Sequence, residues 1–162
     1  MPGGTAQTLR PFLWRAARLY PDREIVSRTD DGLHRYTYSE YDDRTARLAQ
    51  ALSERGIGAG DRVGTFCWNH HRHFEAYFSV PSMGAQLHTI NPLLPPEHVR
   101  HIVADADDRL LFVDRSLAPR LASIAEGGPA FEGIEFVLVG ERGSDAIEAT
   151  PYEAFVGGHS TA

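Results

Sequence analysis

Between residues 39 and 139, segments with helical periodicity alternate with short apolar segments of strand length. Strands that alternate with helices favour a mainly parallel sheet with helices on both faces, because a helix is the usual crossover between parallel strands. The sequence therefore predicts an α/β fold. In chain order, the predicted elements are a helix from Ser39 to Gly56, a strand at 62–68, a helix from Asn69 to Gly84, a strand at 86–90, a helix at 95–106, a strand at 110–113, a helix at 116–126 and a strand at 134–139.

Local signals refine two of these helices. Ser39 is predicted to cap the first, which has acidic residues in its opening turn, and Asn69 is predicted to cap the second. The buried stripe of the second helix is expected on Phe74, Tyr77 and Phe78, which recur at helical spacing.

The two ends of the chain give weaker signals. A helix is predicted over residues 8–20, followed by strands at 24–27 and 33–38 that the sequence Asp-Asp-Gly at 30–32 would join as a hairpin. Beyond Gly140 the chain is predicted to be loop-like, with a short helical turn near 152–156. We expect residues 1–162 to form one α/β domain or subdomain, with a disordered tail at 157–162.

Composition excludes several classes of function. All sixteen Lys-or-Arg residues are arginine, so lysine-dependent chemistry, such as a Walker-type phosphate lysine or a Schiff base, is absent from this chain. The net charge of −6, without a basic stretch, argues against nucleic acid as the main partner. One cysteine permits no internal disulfide, no run approaches the ~18 apolar residues of a membrane span, and residues 1–7 lack a signal-peptide pattern. A cytoplasmic location is expected.

A glycine-rich segment at 56–60 has the wrong position for a phosphate loop. Such a loop runs from a strand into a helix, so that the helix N-terminus faces the phosphate, whereas this segment runs from a helix into a strand. The segment is interpreted as a helix C-cap and turn, with Gly56 at the cap.

Histidines form two groups that invite a metal interpretation. His70, His71 and His73 occupy adjacent and i+2 positions, which point in different directions on a helix, while His98 and His101 share a face without a third ligand at diagnostic spacing. No metal site is predicted, and the histidines are expected to be solvent-facing or partly packed.

Other reactive residues receive structural interpretations as well. Cys67, between Phe66 and Trp68, is predicted to be a buried, inert thiol, and the sequence contains no Gly-x-Ser-x-Gly nucleophile motif. The carboxylates of Asp105, Asp107 and Asp108 are expected to be solvated at a helix end.

The order and spacing of several motifs over about residues 8–155 carry more information than any one of them. The chain resembles the opening of AMP-binding, adenylate-forming enzymes, and most closely the medium- and long-chain fatty acyl-CoA ligases. The motifs that carry this resemblance are YTYSEY at 36–41, RTARLA at 44–49, GIGAGDRV at 56–63, WN at 68–69, NHHRH at 69–73, AYFSVPSMGA at 76–85, LHTINP at 87–92, PE at 96–97 and RLLFVD at 109–114.

The resemblance implies a ligase that joins a carboxylic acid to ATP and then transfers the acyl group to coenzyme A. ATP, Mg and CoA are the cofactors of the whole family enzyme, and a fatty acid is its substrate. The family's Pro-Lys-Gly loop, its later nucleotide motifs and its C-terminal domain are absent from these 162 residues. The chain is therefore expected to be an N-terminal fragment, from a truncated or split gene, that binds no cofactor and is inactive alone.

No catalytic, cofactor-binding or metal-ligating residue is carried over from the family. His88, Thr89 and Asn91 match a segment at the carboxyl end of a strand, where α/β folds place ligands, and are candidates for a shell of residues around the substrate. The resemblance also implies homodimerisation, and a missing partner region is expected to leave a face of the sheet uncovered. Two alternatives stay open, namely a stand-alone binding or dimerisation module and a fragment of an aryl-CoA ligase or amino-acid adenylation enzyme.

Overall fold

A computed structural model describes residues 9–29 and 32–157 and has the predicted α/β architecture. Short 3₁₀ turns at Arg115–Leu117 and Pro129–Phe131 supplement the regular elements. The helices are α1 (Arg10–Leu19), α2 (Tyr38–Glu54), α3 (His71–Ser82), α4 (Pro96–Ala106), α5 (Ala118–Ala125) and α6 (Tyr152–Gly157), and the strands are β1 (Glu24–Thr29), β2 (Gly32–Thr37), β3 (Arg62–Phe66), β4 (Gln86–Thr89), β5 (Leu110–Asp114), β6 (Glu135–Val139) and β7 (Thr150–Pro151).

Five parallel strands form the main sheet in the order β4-β3-β5-β6-β7. In the central strand β5, Leu110 and Phe112 face a core shared with α2, α3 and α6, while Leu111 and Val113 face a second core beneath α4 and α5. Alternate residues of a strand point to opposite faces, so a strand buried on both sides must be apolar throughout. The sheet is therefore covered on both faces, and the expectation of an uncovered face is wrong.

The predicted antiparallel pair of β1 and β2 is confirmed, with Ile25 opposite Tyr36. Its connecting residues 30–31 lie outside the described part of the chain. A third, small core joins this hairpin to α1 and α2 through Leu13, Tyr36 and Tyr41. Leu13 is the one buried residue of α1, while Phe12, Trp14 and Leu19 of this helix are exposed.

Both predicted helix caps are wrong. Thr37 caps α2, because its extended backbone lets its hydroxyl accept from the Glu40 backbone N–H while the Glu40 carboxylate accepts from the Thr37 N–H. His70 caps α3, its Nδ1 accepting from the backbone N–H of His73 at 3.2 Å. The stop at Gly56 is confirmed, since this residue follows the C-cap with a φ of +74°.

The end of the described chain contains more structure than expected. Strand β7 pairs with β6 at Val137 and Leu138, within the segment predicted to be a loop, and α6 matches the predicted helical turn. Gly157 ends α6, and residues 158–162 of the predicted tail lie outside the described residues. In the described residues, no helix has the length and hydrophobicity needed to cross a bilayer.

Candidate functional site

The carboxyl ends of β3, β5 and β6 meet at a cleft of about 330 Å³, which we call the His70 cleft. This is the edge at which parallel α/β sheets generally bind ligands. Its lining residues are Arg28, Thr29, Trp68, Asn69, His70, Arg72, Asp114, Ser116, Gly140, Glu141 and Arg142.

A chain of hydrogen bonds crosses the floor of this cleft. His70 Nε2 lies 3.2 Å from Asp114 Oδ2, and its Nδ1 is already an acceptor, so the neutral ring donates from Nε2. Asp114 Oδ1 accepts from the hydroxyl of Ser116 at 2.7 Å, and the indole N–H of Trp68 donates to the same hydroxyl at 3.1 Å. Burial raises the pKa of Asp114, but the hydrogen bonds from His70 and Ser116 outweigh burial and hold this pKa below its ordinary value.

This arrangement is not a nucleophilic triad. In a Ser-His-Asp triad the histidine must accept the serine proton, whereas Ser116 donates to Asp114 and both ring nitrogens of His70 have other partners. No base therefore activates Ser116 here. The cleft's central side chains bond to one another, which suits a rigid floor better than a reacting group.

The histidine cluster has three separate surroundings. His73 Nδ1 lies 3.2 Å from the carbonyl oxygen of Trp68, which can only accept, so Nε2 is left to accept from the Thr65 hydroxyl at 3.0 Å. His71 stacks on His34 with ring centroids 3.9 Å apart. Burial and the neighbouring cation of Arg72 lower the pKa of His71 to about 2, and burial also lowers the pKa of His73.

His71 and His73 are buried, so the expectation of solvent-facing or partly packed histidines is wrong for these two. His71 contacts the hairpin through its backbone N–H, which donates to the Ser27 hydroxyl, and His73 contacts β3 through Thr65. In the two described stretches, no three His, Cys, Asp or Glu side chains are grouped as metal ligands would be.

The inner face of α3 also contains Glu75, whose role the sequence did not reveal. Its fully buried carboxylate accepts from Arg44 Nε at 2.7 Å and from the Tyr152 hydroxyl at 2.5 Å. Arg44 also binds both carboxylate oxygens of Glu153, and Arg72 binds the same carboxylate. These bonds fasten α6 to α2 and α3.

The stripe predicted on Phe74, Tyr77 and Phe78 is therefore wrong as the buried face of α3. Phe74 and Tyr77 are more than a third exposed, and Phe78 is half-buried. The buried face is mixed, because Ala76 and Val80 pack in the apolar core while the ion network satisfies Glu75. Phe74 stacks on Tyr41, whose hydroxyl donates to the Phe74 carbonyl at 2.7 Å.

Of the three predicted substrate-shell residues, His88 has the most defined contact. Its Nδ1 lies 2.7 Å from Asp108 Oδ2. The same oxygen lies close to Gly64, where an added Cβ would be only 2.9 Å from it. Asp108 is buried, so its predicted solvation is wrong, while Asp105 and Asp107 are exposed as expected. Burial raises the pKa of Asp108, and the hydrogen bond from His88 opposes that shift.

Thr89 and Asn91 are not brought together with this pair. Thr89 is exposed, and Asn91 Oδ1 accepts from the backbone N–H of Leu93 at 2.9 Å, which shapes the turn after β4. Contact of any of these three residues with a substrate stays a prediction. Cys67 is buried as predicted, and burial raises the pKa of its thiol well above the ordinary value.

The family model described as AMP-binding enzyme matches residues 13–151. The chain belongs to this family. It is 43% identical over 147 residues to a long-chain-fatty-acid–CoA ligase of Thermus thermophilus, covering 90% of this chain and 26% of the ligase. A medium-chain-fatty-acid–CoA ligase of Ectopseudomonas oleovorans is 34% identical over 147 residues, covering 88% and 27%.

A solved structure of an anthranilate CoA ligase, in complex with anthranoyl-AMP, has the same fold at 19% identity. Its TM-score is 0.80 over 96% of this chain and 28% of that chain. The chain thus spans about a quarter of the length of the curated AMP-binding relatives described above.

The motifs shared with AMP-binding enzymes have structural roles in this chain. The segment YTYSEY contains the Thr37–Glu40 cap, and the glycine-rich turn leads from α2 into β3, with the Asp61 carboxylate accepting from the Gly58 N–H at 2.7 Å. Arg109 donates to Asp61 and to the Gly56 carbonyl, which fastens this turn to the start of β5. The interpretation of the glycines as a cap and turn is confirmed.

Proposed function

We propose that this chain forms the N-terminal part of an ATP-dependent fatty acid–CoA ligase. The observation that carries the proposal is the match to the AMP-binding family over residues 13–151, together with 43% identity to a long-chain ligase. The complete enzyme would use ATP, Mg and CoA in forming an acyl-adenylate and then a thioester. Its substrate would be a fatty acid, and its location the cytoplasm.

Two central charged residues of the His70 cleft do not favour a nucleotide phosphate. Arg72 in the His70 cleft is committed to Glu141 and Glu153, and Asp114 presents an ionised carboxylate that repels phosphate. The sequence contains no lysine that could bind a phosphate. We therefore assign this chain a supporting role and derive no catalytic step from it.

Two features support that role. The His70 cleft has a floor fixed by its own hydrogen bonds, and Glu75 fastens the last described helix to the first half of the domain. We further propose that Thr89 and Asn91 lie near the acyl substrate in the complete enzyme and that His88, bonded to Asp108, positions the end of β4. Homodimerisation stays a prediction, which sedimentation at several concentrations tests.

The test is exchange of labelled pyrophosphate into ATP. We expect no exchange from the chain alone, and fatty-acid-dependent exchange when the downstream three-quarters of the Thermus thermophilus ligase is added as a separate polypeptide. The positive control pairs that polypeptide with its own N-terminal segment. Circular dichroism establishes that the chain is folded in each assay.

Exchange by the chain alone would contradict the supporting role. A folded chain that fails to restore exchange, while the native segment succeeds, would contradict the proposed function. Replacing the fatty acid with benzoate in the restored assay separates the fatty-acid proposal from an aryl-CoA ligase.

A further inference from the structure

The turn between β4 and α4 is short of backbone donors. Residues 91–95 have the sequence Asn-Pro-Leu-Leu-Pro, and proline has no backbone N–H. Two amides follow Asn91 in this turn, and both bond back to it. The Leu93 N–H donates to Asn91 Oδ1 at 2.9 Å, and the Leu94 N–H donates to the Asn91 carbonyl at 3.3 Å. No amide of the turn is therefore left for the carbonyls of Pro92 and Leu94.

Arg120 of α5 provides donors for both of these carbonyls. Its Nε donates to the Pro92 carbonyl at 2.9 Å, and its Nη2 donates to the Leu94 carbonyl at 2.8 Å. A guanidinium is planar and carries its N–H donors in a fixed fork, so one side chain can hold two acceptors at a defined separation. Helix α5 is itself anchored by Leu121 and Ile124, which are buried in the second core. The two bonds thus tie the turn to a well-packed element.

The turn contains one of the two residues proposed above to lie near the acyl substrate. Asn91 opens the turn, and its side-chain bond to Leu93 falls between the two carbonyls that Arg120 holds. A turn released by Arg120 would therefore carry Asn91 with it. Thr89 depends less on Arg120, because β4 is paired with β3 as far as Thr89.

We propose that Arg120 is a positioning residue for the acyl substrate, acting through the turn at 91–95 and Asn91. This role rests on the ligase function proposed above. Arg120 acts on the far side of the turn, through backbone carbonyls, and has no contact with the reacting atoms in this account. Its loss should weaken binding of the fatty acid without slowing the chemical step, which appears as a higher KM at unchanged kcat.

The first test is amide hydrogen exchange of the full chain, followed residue by residue by NMR. Arg120→Met keeps a long unbranched side chain but removes both donors to the turn. We expect the amides of Leu93 and Leu94 to exchange about tenfold faster in this variant, as suits the loss of two partly exposed hydrogen bonds. The amide of Leu111, in the central strand β5, should exchange at the wild-type rate, because the sheet is not altered.

Arg100→Met is the matched control. Arg100 of α4 donates from Nη1 to the Ile124 carbonyl at 3.3 Å, so its loss also removes an arginine-to-carbonyl bond between neighbouring elements but leaves the turn intact. The second test measures both variants in the restored pyrophosphate-exchange assay. Arg120→Met should raise the KM for the fatty acid by about fivefold, with the KM for ATP and the rate at saturating fatty acid unchanged. Arg100→Met should leave all three values unchanged.

Unaltered exchange of the Leu93 and Leu94 amides in Arg120→Met would overturn the proposal, because the turn would then not depend on Arg120. Equal KM values for the fatty acid in Arg120→Met and Arg100→Met, in an assay that the wild-type chain restores, would also overturn it. A wild-type chain that restores no activity would contradict the ligase function itself and remove the substrate role of Arg120 with it.

Discussion

The five-stranded sheet and the region formed by α1 and the hairpin bury their apolar residues to very different extents. Strand β5 is buried along its whole length, with helices covering both of its faces. Helix α1, by contrast, fully buries only Leu13, and its small core consists of three fully buried residues. Because apolar burial supplies most of the favourable free energy of folding, the sheet is expected to determine the stability of the chain.

Polar and aromatic contacts replace apolar burial where these two regions meet. His34 of the hairpin stacks on His71 of α3, and the Ser27 hydroxyl accepts from the His71 backbone N–H at 3.0 Å. The stacked ring is that of His71, whose pKa burial lowers. The comparison therefore indicates that the sheet resists unfolding while the junction sets the position of the hairpin.

The largest expected effect comes from the same substitution made in each region. Phe112 is 2% exposed and packs edge-on against Tyr152 and Phe155, so Phe112→Ala should lower the free energy of unfolding by about 3–5 kcal/mol. Phe12 on α1 is 70% exposed, and Phe12→Ala should change stability by less than about 0.5 kcal/mol. Urea unfolding followed by circular dichroism measures both values.

Similar losses of unfolding free energy for the two variants would mean that the outer face of α1 is covered in solution and that the two regions do not differ in burial. Leu13→Ala serves as a control within α1, since Leu13 is the fully buried residue of this helix. It should lie between the two phenylalanine variants.

A smaller effect is expected at the junction and depends on pH. Burial and the Arg72 cation lower the pKa of His71 from 6.5 to about 2 in the folded chain. Below pH about 6.5 the His71 ring binds a proton in the unfolded chain but not in the folded chain, so the free energy of unfolding falls as pH decreases. Between pH 7 and pH 5 this single group should cost about 2 kcal/mol, a loss that His71→Phe should remove while retaining an aromatic ring against His34.

The measurement is urea unfolding of both chains at pH 7, 6 and 5. Replacing the exposed His98 of α4 by Gln provides the control and should leave the acid dependence unchanged. An identical pH dependence for the wild type and His71→Phe would show that His71 does not reject the proton.

The order of helices and strands could be predicted because apolar periodicity reports which side of an element is buried. Strand β7 could not, because two residues carry no periodicity and Thr150 pairs through its backbone with Val137. The caps were misassigned for a related reason. Ser39 and Asn69 are favourable cap residues, but the cap is selected by where the backbone leaves the extended conformation, at Thr37 and His70.

The polar sites were harder to predict because their partners are distant in sequence. Glu75 binds Arg44 and Tyr152, which are 31 and 77 residues away, and His88 binds Asp108, 20 residues away. Composition and spacing do not identify such distant partners, although a buried carboxylate is tolerated only when its partners are in place. The predicted burial of Cys67 is confirmed, because that prediction needed only the apolar residues on either side of it.

The smallest expected effect concerns Thr37, which joins the hairpin to α2. Its hydroxyl accepts from the Glu40 N–H at 3.2 Å, and Thr37→Ala would leave this N–H without its cap, lowering the free energy of unfolding by about 1 kcal/mol. Ser39→Ala is the matched control, because Ser39 is exposed and the cap does not use its side chain; a change below about 0.5 kcal/mol is expected. Urea unfolding at pH 7 compares the two variants. A larger loss of unfolding free energy for Ser39→Ala than for Thr37→Ala would show that Ser39 is the cap residue. It would mean that the hairpin ends two residues later than observed.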